Sequence, residues 1–298
     1  MTAAEQAAVR AADAGTPVDP FAPPAPEPAW RYLHHLNPLA KVLAPLPVMV
    51  LLIFSRGIAI PLAFSVLTIV LLLTGARLRG RVVAMLLVVL PVVVLVLGVS
   101  FGAWVDASRF GPDDPGYGVV LVQLGDYRFT LAAYLVGLAT SIRLASLLLL
   151  ALLAGLTSTG PDLVRSMVQN LRVPYRIGYT ALAAYRFVPR FGHELEVIRA
   201  AHRVRGTERG RGPIAAVKRT LGYAVPLLAS AIRHAERVAL AMDARAFGAH
   251  RTRTERHLVP WRARDWAFVA AFWLVSAAVY WWALQLGGGS LVSDGTAA

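Results

Sequence analysis

Long apolar stretches, separated by short polar connections, occupy most of this chain. A membrane-spanning helix needs roughly 20 apolar residues, with about 17–25 usual. The last three stretches meet that length, whereas the first two are shorter and are separated only by Ser55 and Arg56, which predicts a tight helical hairpin. The stretches are Leu39–Phe54, Gly57–Thr74, Val82–Val105, Phe129–Leu156 and Trp266–Leu286. The pattern predicts an all-α integral membrane protein with about five transmembrane helices.

The pattern changes between the fourth and fifth stretches, where apolar positions recur every three or four residues. The capping sequence Ser158-Thr159-Gly160-Pro161-Asp162-Leu163 predicts a short helix that runs to about Asn170, before Val173-Pro174. Two longer helices follow. They should be bent by Pro189 and Pro226 and should stop at Gly206 and Gly248.

Each of these two longer helices carries an apolar stripe that we expect to be buried, because one apolar face is typical of a packed amphipathic helix. The first stripe is Tyr179, Leu182, Ala183, Phe187, Phe191, Leu195 and Ile198; the second is Ile214, Val217, Leu221, Val225, Leu228, Ile232, Ala235, Val238 and Met242.

Composition and charge agree with a membrane protein and indicate its orientation. Of the 298 residues 57% are hydrophobic and 16% charged, against about 25% charged in soluble domains. Residues 160–265 hold 20 Arg and Lys against 8 Asp and Glu, an excess of 12 that is nearly all of the net charge of +13. A basic block between two spans predicts a cytoplasmic location, because positive charge stays inside. Arg77, Arg79 and Arg81 place the second connection inside as well, whereas acidic residues of the third connection place that one outside.

These features divide the chain into five regions. We expect a disordered cytoplasmic tail at 1–33, transmembrane helices 1–4 at 34–157, a cytoplasmic coupling-helix module at 158–263, transmembrane helix 5 at 264–287, and an external tail at 288–298. The protein should therefore lie in the cell membrane with its N-terminus and coupling module inside and its C-terminus outside.

Two arginine triplets close the two long amphipathic helices. They are Val204-Arg205-Gly206 and Ala244-Arg245-Ala246. One interpretation is electrostatic, because a cation near a helix C-terminus complements its dipole by about 0.3–1 kcal/mol. The other is functional: two arginines at matching positions, each with small neighbours, are suited to enter acidic grooves on a partner. The repetition favours the second interpretation.

Two further cations lie within the apolar stretches. Arg143 is central in the fourth, where insertion costs roughly 2.5–3.5 kcal/mol, so it should face protein. It could contact a partner membrane subunit or pair with internal backbone carbonyls. Lys41 follows Asn37-Pro38, and we expect its side chain to extend to the inner headgroups.

Several kinds of chemistry are missing from the chain. Its only lysines are Lys41 and Lys218, and neither follows glycine, so the phosphate-binding loop GxxxxGK[ST] is excluded. The metalloprotease HExxH and hydrolase GxSxG motifs are absent, and there are no cysteines. His34-His35 is the one tight histidine pair, and a turn at headgroup level explains it better than a metal site does. We therefore predict no catalytic residue, cofactor or metal in this chain.

The ordered set of these motifs resembles the transmembrane T component of energy-coupling factor (ECF) transporters, the EcfT/CbiQ family. The resemblance covers roughly residues 34–285. It rests on Leu36-Asn37-Pro38-Leu39-Ala40-Lys41, Ser158-Thr159-Gly160-Pro161-Asp162-Leu163, Arg186-Phe187-Val188-Pro189 with Glu194, and the two triplets at 204–206 and 244–246. Val204 and Ala246 depart slightly from the commonest small residues at their positions.

The resemblance implies a non-catalytic scaffold of an ABC importer. Arg205 and Arg245 would seat in grooves on two cytoplasmic ATPase subunits (A and A′), which bind Mg-ATP. The coupling helices would grip a small substrate-binding S component and move it to release a vitamin or metal ion.

Three alternatives remain open. A secondary transporter would need polar residues at mid-membrane in several spans, where only Arg143 is evident. A membrane enzyme is disfavoured by the absent catalytic clusters. A nucleic-acid-binding anchor is disfavoured by the apolar stripes and by the lack of an exposed aromatic platform.

Overall fold

Helices account for almost all regular structure in this chain. The computed structural model describes residues 28, 31–55, 57–106, 111, 116, 118–124, 127–206, 212–250 and 252–285. The elements are α1 (Tyr32–His35), α2 (Pro38–Leu43), α3 (Leu46–Phe54), α4 (Ala59–Gly75), α5 (Gly80–Gly102), β1 (Val120–Leu124), β2 (Tyr127–Thr130), α6 (Leu131–Thr157), α7 (Gly160–Asn170), α8 (Tyr175–Val204), α9 (Pro213–Asp243) and α10 (Ala263–Gln285). The predicted all-α class is confirmed.

Three of these helices, α5, α6 and α10, are long and apolar enough to cross a membrane. They correspond to the last three apolar stretches of the sequence. The first two stretches form shorter apolar segments, Pro38–Phe54 and Ala59–Gly75. The first of these breaks at Ala44 and Pro45, between α2 and α3.

The two predicted tails fall mainly outside the described residues. Residues 288–298 lie wholly outside them, as do 1–27, 29 and 30. From Arg31 the chain leads into the short helix α1, and Leu33 of that helix is fully buried in the bundle core.

The bundle core forms where α4, α6 and α10 meet the first helices of the chain. Its buried side chains include Phe64 and Leu72 of α4, Leu149 and Leu153 of α6, and Phe272 of α10. Lipid tails are as apolar as these side chains, so close van der Waals packing rather than the hydrophobic effect holds the spans together here.

A close backbone approach joins α5 to α6, and the sequence analysis did not identify it. A Cβ added at Gly137 would overlap the carbonyl oxygen of Gly98 and the backbone nitrogen of Gly102, and one added at Gly102 would lie 2.8 Å from the carbonyl oxygen of Ala133. Gly98 and Gly102 have the GxxxG spacing, which allows helix backbones in membranes to meet at short distance.

Gly137→Ala should therefore destabilise the protein, by roughly 1–3 kcal/mol, because overpacking forces the two backbones apart. Gly155→Ala on the same helix is the matched control, since a Cβ at Gly155 meets nothing within 4 Å. That control should stabilise the helix by about 0.5–1 kcal/mol. Thermal unfolding in neutral detergent measures both effects: the midpoint should fall for Gly137→Ala and rise for Gly155→Ala. Equal midpoints for the two variants would contradict this account of the helix contact.

A short β-hairpin precedes α6 and corrects one predicted boundary. The fourth apolar stretch was expected to be helical from Phe129. In the structure Phe129 lies in β2, where it pairs with Val122 of β1. The helix begins instead at Leu131, where the Thr130 hydroxyl accepts a hydrogen bond from the Ala133 N–H at 3.3 Å. Hydropathy alone could not separate a buried strand residue from the helix that follows it.

The helices α8 and α9 run antiparallel and form a helical hairpin. The ring of His202 lies 5.2 Å from that of Tyr223, Ser230 donates a hydrogen bond to Glu194 at 2.6 Å, and the ring of Phe187 lies 3.7 Å from His234. These contacts pair the end of α8 with the start of α9, as an antiparallel arrangement requires.

The apolar stripe of α9 is exposed, which corrects the expectation that it is buried. Val225 is 74% exposed, Leu221 66% and Leu228 62%. The reason is that α8 packs against the face of α9 that carries Tyr223 and Ser230 instead. The stripe of α8 is covered in part: Ile198 is buried and Phe187 half-buried.

Candidate functional site

Arg205 and Arg245 occupy the same position relative to their helix ends. Each directly precedes a residue in the left-handed conformation, with φ of +67° for Gly206 and +54° for Ala246. The N–H of Gly206 donates to the carbonyl of Arg203 at 3.0 Å, and the N–H of Ala246 donates to the carbonyl of Asp243 at 2.9 Å. These are the capping bonds that end helices with a left-handed residue. The two triplets are thus structurally equivalent.

The helix end after α9 shows the full capping motif. In addition to the Ala246 bond, the Phe247 N–H donates to the carbonyl of Met242 at 3.0 Å. A left-handed conformation costs an L-residue about 1–2 kcal/mol, so Ala246 holds a conformation that glycine adopts more readily. This is the point where the second triplet departs from an Ala-Arg-Gly sequence.

All six residues of the two triplets are exposed, and Val204 is 89% exposed. Because the helical hairpin is antiparallel, Arg205 lies at its far end and Arg245 at its base. The 30 residues of α8 separate the two ends by about 45 Å at 1.5 Å per residue. Two separate partner surfaces could therefore each contact one arginine.

Aromatic side chains hold the segment after Arg245 in place. The Phe247 ring packs edge-on against Tyr175 at 5.6 Å and Tyr179 at 6.4 Å. The guanidinium of Arg253 covers the Tyr179 ring at 4.3 Å and the Phe247 ring at 5.5 Å. Cation–π contacts of this kind contribute about 0.5–2 kcal/mol, so the loop that presents Arg245 is rigidly supported.

Hydrogen bonds from α8 reinforce this loop. The Tyr175 hydroxyl donates to the His250 carbonyl at 2.6 Å, the Arg176 guanidinium donates to the Gly248 carbonyl, and the Tyr179 hydroxyl donates to Glu255. Burial raises the pKa of Tyr179, and the hydrogen bond to Glu255 raises it further. Tyr179 therefore stays protonated and remains a donor at neutral pH.

A buried polar joint connects the bundle to α7. The Asn37 side-chain oxygen accepts from the Leu39 N–H at 3.0 Å and from the Ser166 hydroxyl at 2.5 Å. The Asn37 N–H donates to Asp265 at 2.7 Å, and its side-chain amide donates to the Val259 carbonyl at 3.2 Å. Asn37, Ser166 and Asp265 are all less than 5% exposed. The joint therefore fixes the first apolar segment, α7 and the start of α10 to one another.

More bonds extend this joint into the segment before α10. Gln169 donates to the His257 carbonyl at 2.9 Å and accepts from the Val259 N–H at 2.8 Å. The second carboxylate oxygen of Asp265 accepts from the Arg262 N–H at 2.7 Å, which caps the start of α10. The predicted start of α7 is confirmed, because the Thr159 hydroxyl accepts from the Asp162 N–H at 3.3 Å.

Lys41 belongs to this buried region, and its predicted extension to the headgroups is wrong. Its side chain is 1% exposed, and its ammonium donates to the carbonyls of Leu33 at 2.9 Å and Thr157 at 2.8 Å. The Thr157 carbonyl is the last of α6, where the helix dipole is negative. Two charge-assisted hydrogen bonds therefore compensate the loss of water.

Two other residues distinguished by the sequence are Arg143 and His34. Arg143 is half-buried, and its Nε is buried without a hydrogen-bond partner. Pairing of Arg143 with backbone carbonyls is therefore not seen within the described part of the chain. His34 accepts a hydrogen bond from the Arg77 N–H at 2.9 Å, so it links α1 to the connection after α4. Among the residues that the structure describes, no group of three or more His, Asp or Glu side chains could hold a metal ion.

Together, these features define an α-helical membrane protein whose bundle carries a helical hairpin with two equivalent exposed arginines. The family model described as CbiQ, cobalt transport protein, matches residues 30–256. The chain therefore belongs to the CbiQ/EcfT family, the transmembrane components of energy-coupling factor transporters. This confirms the resemblance found in the sequence.

Individual relatives agree with this assignment. The chain is 28% identical over 262 residues to the energy-coupling factor transporter transmembrane protein EcfT of Bacillus selenitireducens, covering 85% of this chain and 93% of the relative. It is 27% identical over 263 residues to that of Limosilactobacillus fermentum, covering 84% and 92%. It is 26% identical over 171 residues to that of Bacillus subtilis, covering 55% of this chain and 64% of the relative, just under two thirds of its length.

Proposed function

We propose that this chain is the scaffold that couples two ATPase subunits to a small substrate-binding membrane subunit in an ECF-type importer. One observation carries the proposal. Two exposed arginines stand at equivalent helix ends, about 45 Å apart at opposite ends of one helical hairpin. Arg205 would enter an acidic groove of one ATPase and Arg245 that of the other, with Val204, Gly206, Ala244 and Ala246 leaving room for the approach.

The geometry supports bidentate docking. A guanidinium offers two parallel N–H donors to a carboxylate, which gives orientation as well as energy. At Arg245 the supporting loop is already ordered by Phe247 and Arg253. A preordered anchor loses little conformational entropy on binding. The ATPases would bind Mg-ATP, and this chain would hold no nucleotide of its own.

The exposed stripe of α9 would contact the substrate-binding subunit, the S component. Ile214, at the start of the stripe, is 84% exposed, and Ile232 is 52% exposed. The exposed part of the stripe between them is about 27 Å long at 1.5 Å per residue. An apolar surface of this length marks an interaction site. Arg143 could make a second contact within the membrane, because its Nε lacks a partner.

The charge pattern supports a cytoplasmic location for α7–α9 and for the N-terminus, with the C-terminus outside. The regions are then a tail at 1–33, spans at 34–157, a coupling module at 158–263, a last span at 264–287 and a tail at 288–298. The proposed cargo is a vitamin or a metal ion, and the S component would select it.

The test of the S-component contact removes apolar area from α9 without changing charge. Leu221→Ser/Val225→Ser/Leu228→Ser should reduce capture of a co-expressed S component at least about tenfold, since each side chain buried on docking contributes about 1.5–3 kcal/mol and tenfold needs about 1.4 kcal/mol. The ATPase subunits should still co-purify. Quantified pull-down from mild detergent measures both partners.

The control is Ala215→Ser/Ala216→Ser/Ala241→Ser, which places three hydroxyls on the side of α9 opposite the stripe and should leave capture unchanged. Equal capture by both triple variants would refute the stripe as the contact surface. A wild-type chain that captures neither ATPase nor S component would refute the scaffold function itself.

A further inference from the structure

The base of the helical hairpin contains an open groove of about 770 Å³ between α8, α9, residue 250 and residues 252–257. Two carboxylates lie beside it: Asp162, paired with Arg165, and Glu255, which accepts from Tyr179. Six arginines line the groove, namely Arg165, Arg186, Arg190, Arg245, Arg253 and Arg256. The groove therefore carries a large excess of positive charge.

Most of this positive charge lacks a compensating partner. Within the described part of the chain, Arg165 is the member of the six that forms an ion pair, at 2.8 Å from Asp162. Arg253 is held by aromatic faces rather than by an acid. Desolvation lowers the pKa of His234 in the groove wall, and the charges of Arg190 and Arg237 lower it further. Clustered cations in a concave surface focus a positive potential that attracts anions.

The groove also has an apolar wall and adjoins the membrane-spanning bundle. Leu182, Val238 and Met242 form the apolar side. The opposite rim is formed by α7, which starts three residues after α6 ends, and by His257, whose carbonyl binds Gln169 of α7. The rings of Trp261 and Trp266, 5.3 Å apart, follow within ten residues of His257. Trp261 is half-buried and Trp266 is 64% exposed, and tryptophans at the end of a span mark the headgroup level.

We propose that this groove binds the phosphate headgroup of an anionic phospholipid. The arginines would hold the phosphate, and the apolar wall would hold the start of the acyl chains. Basic pockets at the cytoplasmic ends of membrane helices recognise anionic headgroups in this way. The combination of positive charge, an apolar wall and headgroup depth favours a lipid over an acidic protein segment. The lipid site depends on the proposed orientation but not on ATPase docking, and the test leaves Arg245 unchanged so that the two can fail separately.

The experiment titrates short-chain phosphatidylglycerol into the purified full chain in neutral detergent. A second titration uses phosphatidylcholine with the same acyl chains. A third uses inorganic phosphate alone. Native mass spectrometry counts retained lipid, and the thermal unfolding midpoint reports binding. We expect saturable binding of phosphatidylglycerol with a raised midpoint, weak binding of phosphatidylcholine, and no comparable shift with inorganic phosphate.

Variants then test the arginines themselves. Arg186→Gln/Arg190→Gln/Arg256→Gln should weaken phosphatidylglycerol binding roughly 100-fold, since each basic side chain near an anionic surface contributes about fivefold in affinity. The control Arg203→Gln/Arg219→Gln/Arg233→Gln removes the same charge away from the groove and should change binding less than about threefold. The variant Arg186→Lys/Arg190→Lys/Arg256→Lys keeps the charge and should retain most of the binding.

Several outcomes would overturn the lipid site. If the groove variant and the control variant lost phosphatidylglycerol affinity equally, the lipid would be attracted by net charge and not by the groove. An equal midpoint shift with inorganic phosphate would mean a free-anion site rather than a lipid site. If the Arg→Lys variant bound phosphatidylglycerol as weakly as the Arg→Gln variant, the positive charge of the groove would not be what binds the lipid. If the Arg→Gln variant lost ATPase capture but bound phosphatidylglycerol like the wild type, the groove would belong to the protein partner.

Discussion

Replacing Arg205 and Arg245 together by alanine is expected to abolish co-purification of ATPase subunits with this chain and to stop uptake. An arginine buried in a partner's pocket typically costs 2–4 kcal/mol on truncation, or roughly 30- to 1,000-fold in affinity. Two anchors within one assembly also act by avidity, so each single substitution should weaken the complex and the double substitution should disrupt it. Arg→Glu at either site should be worse than alanine, because it places like charges together in a desolvated groove.

The matched control is Arg233→Ala/Arg237→Ala, which removes two exposed arginines of α9 away from the left-handed caps. It should leave assembly intact. If Arg205 and Arg245 only complement their helix dipoles, their loss costs less than about 1 kcal/mol and lowers helix stability slightly. Stoichiometric ATPase on the double variant, with normal uptake, would establish that weaker role and refute docking by these residues.

The substitution Asp265→Asn is expected to lower the stability of the whole bundle by roughly 3 kcal/mol. One oxygen of Asp265 accepts from the buried Asn37 N–H at 2.7 Å, and the other accepts from the part-buried Arg262 N–H at 2.7 Å. An amide can satisfy one of these donors, but its NH₂ group then faces the other. Leaving a buried donor unsatisfied costs about 1–3 kcal/mol, and losing a charge-assisted bond adds to this.

Thermal unfolding of the purified chain in neutral detergent measures this loss. Glu236→Gln is the control, because it makes the same chemical change on an exposed side chain of α9 and should leave the midpoint unchanged. A midpoint for Asp265→Asn equal to that of the control would show that the polar joint does not hold the spans together.

Local sequence signals predicted the helices well. Thr159 caps α7 because a side-chain acceptor, a proline and an acidic residue all occur within four positions. The period of apolar residues located α8 and α9, and Gly206 marked the end of α8. The predicted stop at Gly248 is wrong, because α9 ends at Asp243 and Ala246 is the left-handed residue of its cap. Each of these signals acts within one or two helical turns, so it can be seen without the fold.

The incorrect predictions for Lys41 and for the α9 stripe concern contacts between distant residues. Lys41 was expected near the headgroups because a lysine at a span end commonly extends to water. Its actual acceptor on α6 is the Thr157 carbonyl, 116 residues away, and no local pattern reveals that neighbour. The exposure of Leu221 has the same origin, because the face of α9 that packs on α8 depends on Tyr223 and Ser230. Apolar residues at a helical period show that one face of the helix favours burial. They do not show whether this chain or a partner covers that face.

The sequence likewise predicted only part of the candidate site. The sequence identified both triplets but could not show that they are equivalent in backbone conformation or that the antiparallel pairing puts them at opposite ends. The GxxxG pair formed by Gly98 and Gly102 was visible and was overlooked. Its partner Gly137 becomes evident only when α5 and α6 are brought together.

The unequal distances of the two arginines from the polar joint have a mechanical consequence. The helical hairpin leaves the bundle beside a fixed point, so a rotation of about 10° as one body would carry its far end by roughly 8 Å over a 45 Å arm. Arg245, close to the pivot, would scarcely move during the same rotation. Two ATPases attached at these points would therefore perform strokes of different length even if their own motions were identical, and the one at Arg205 would supply most of the displacement.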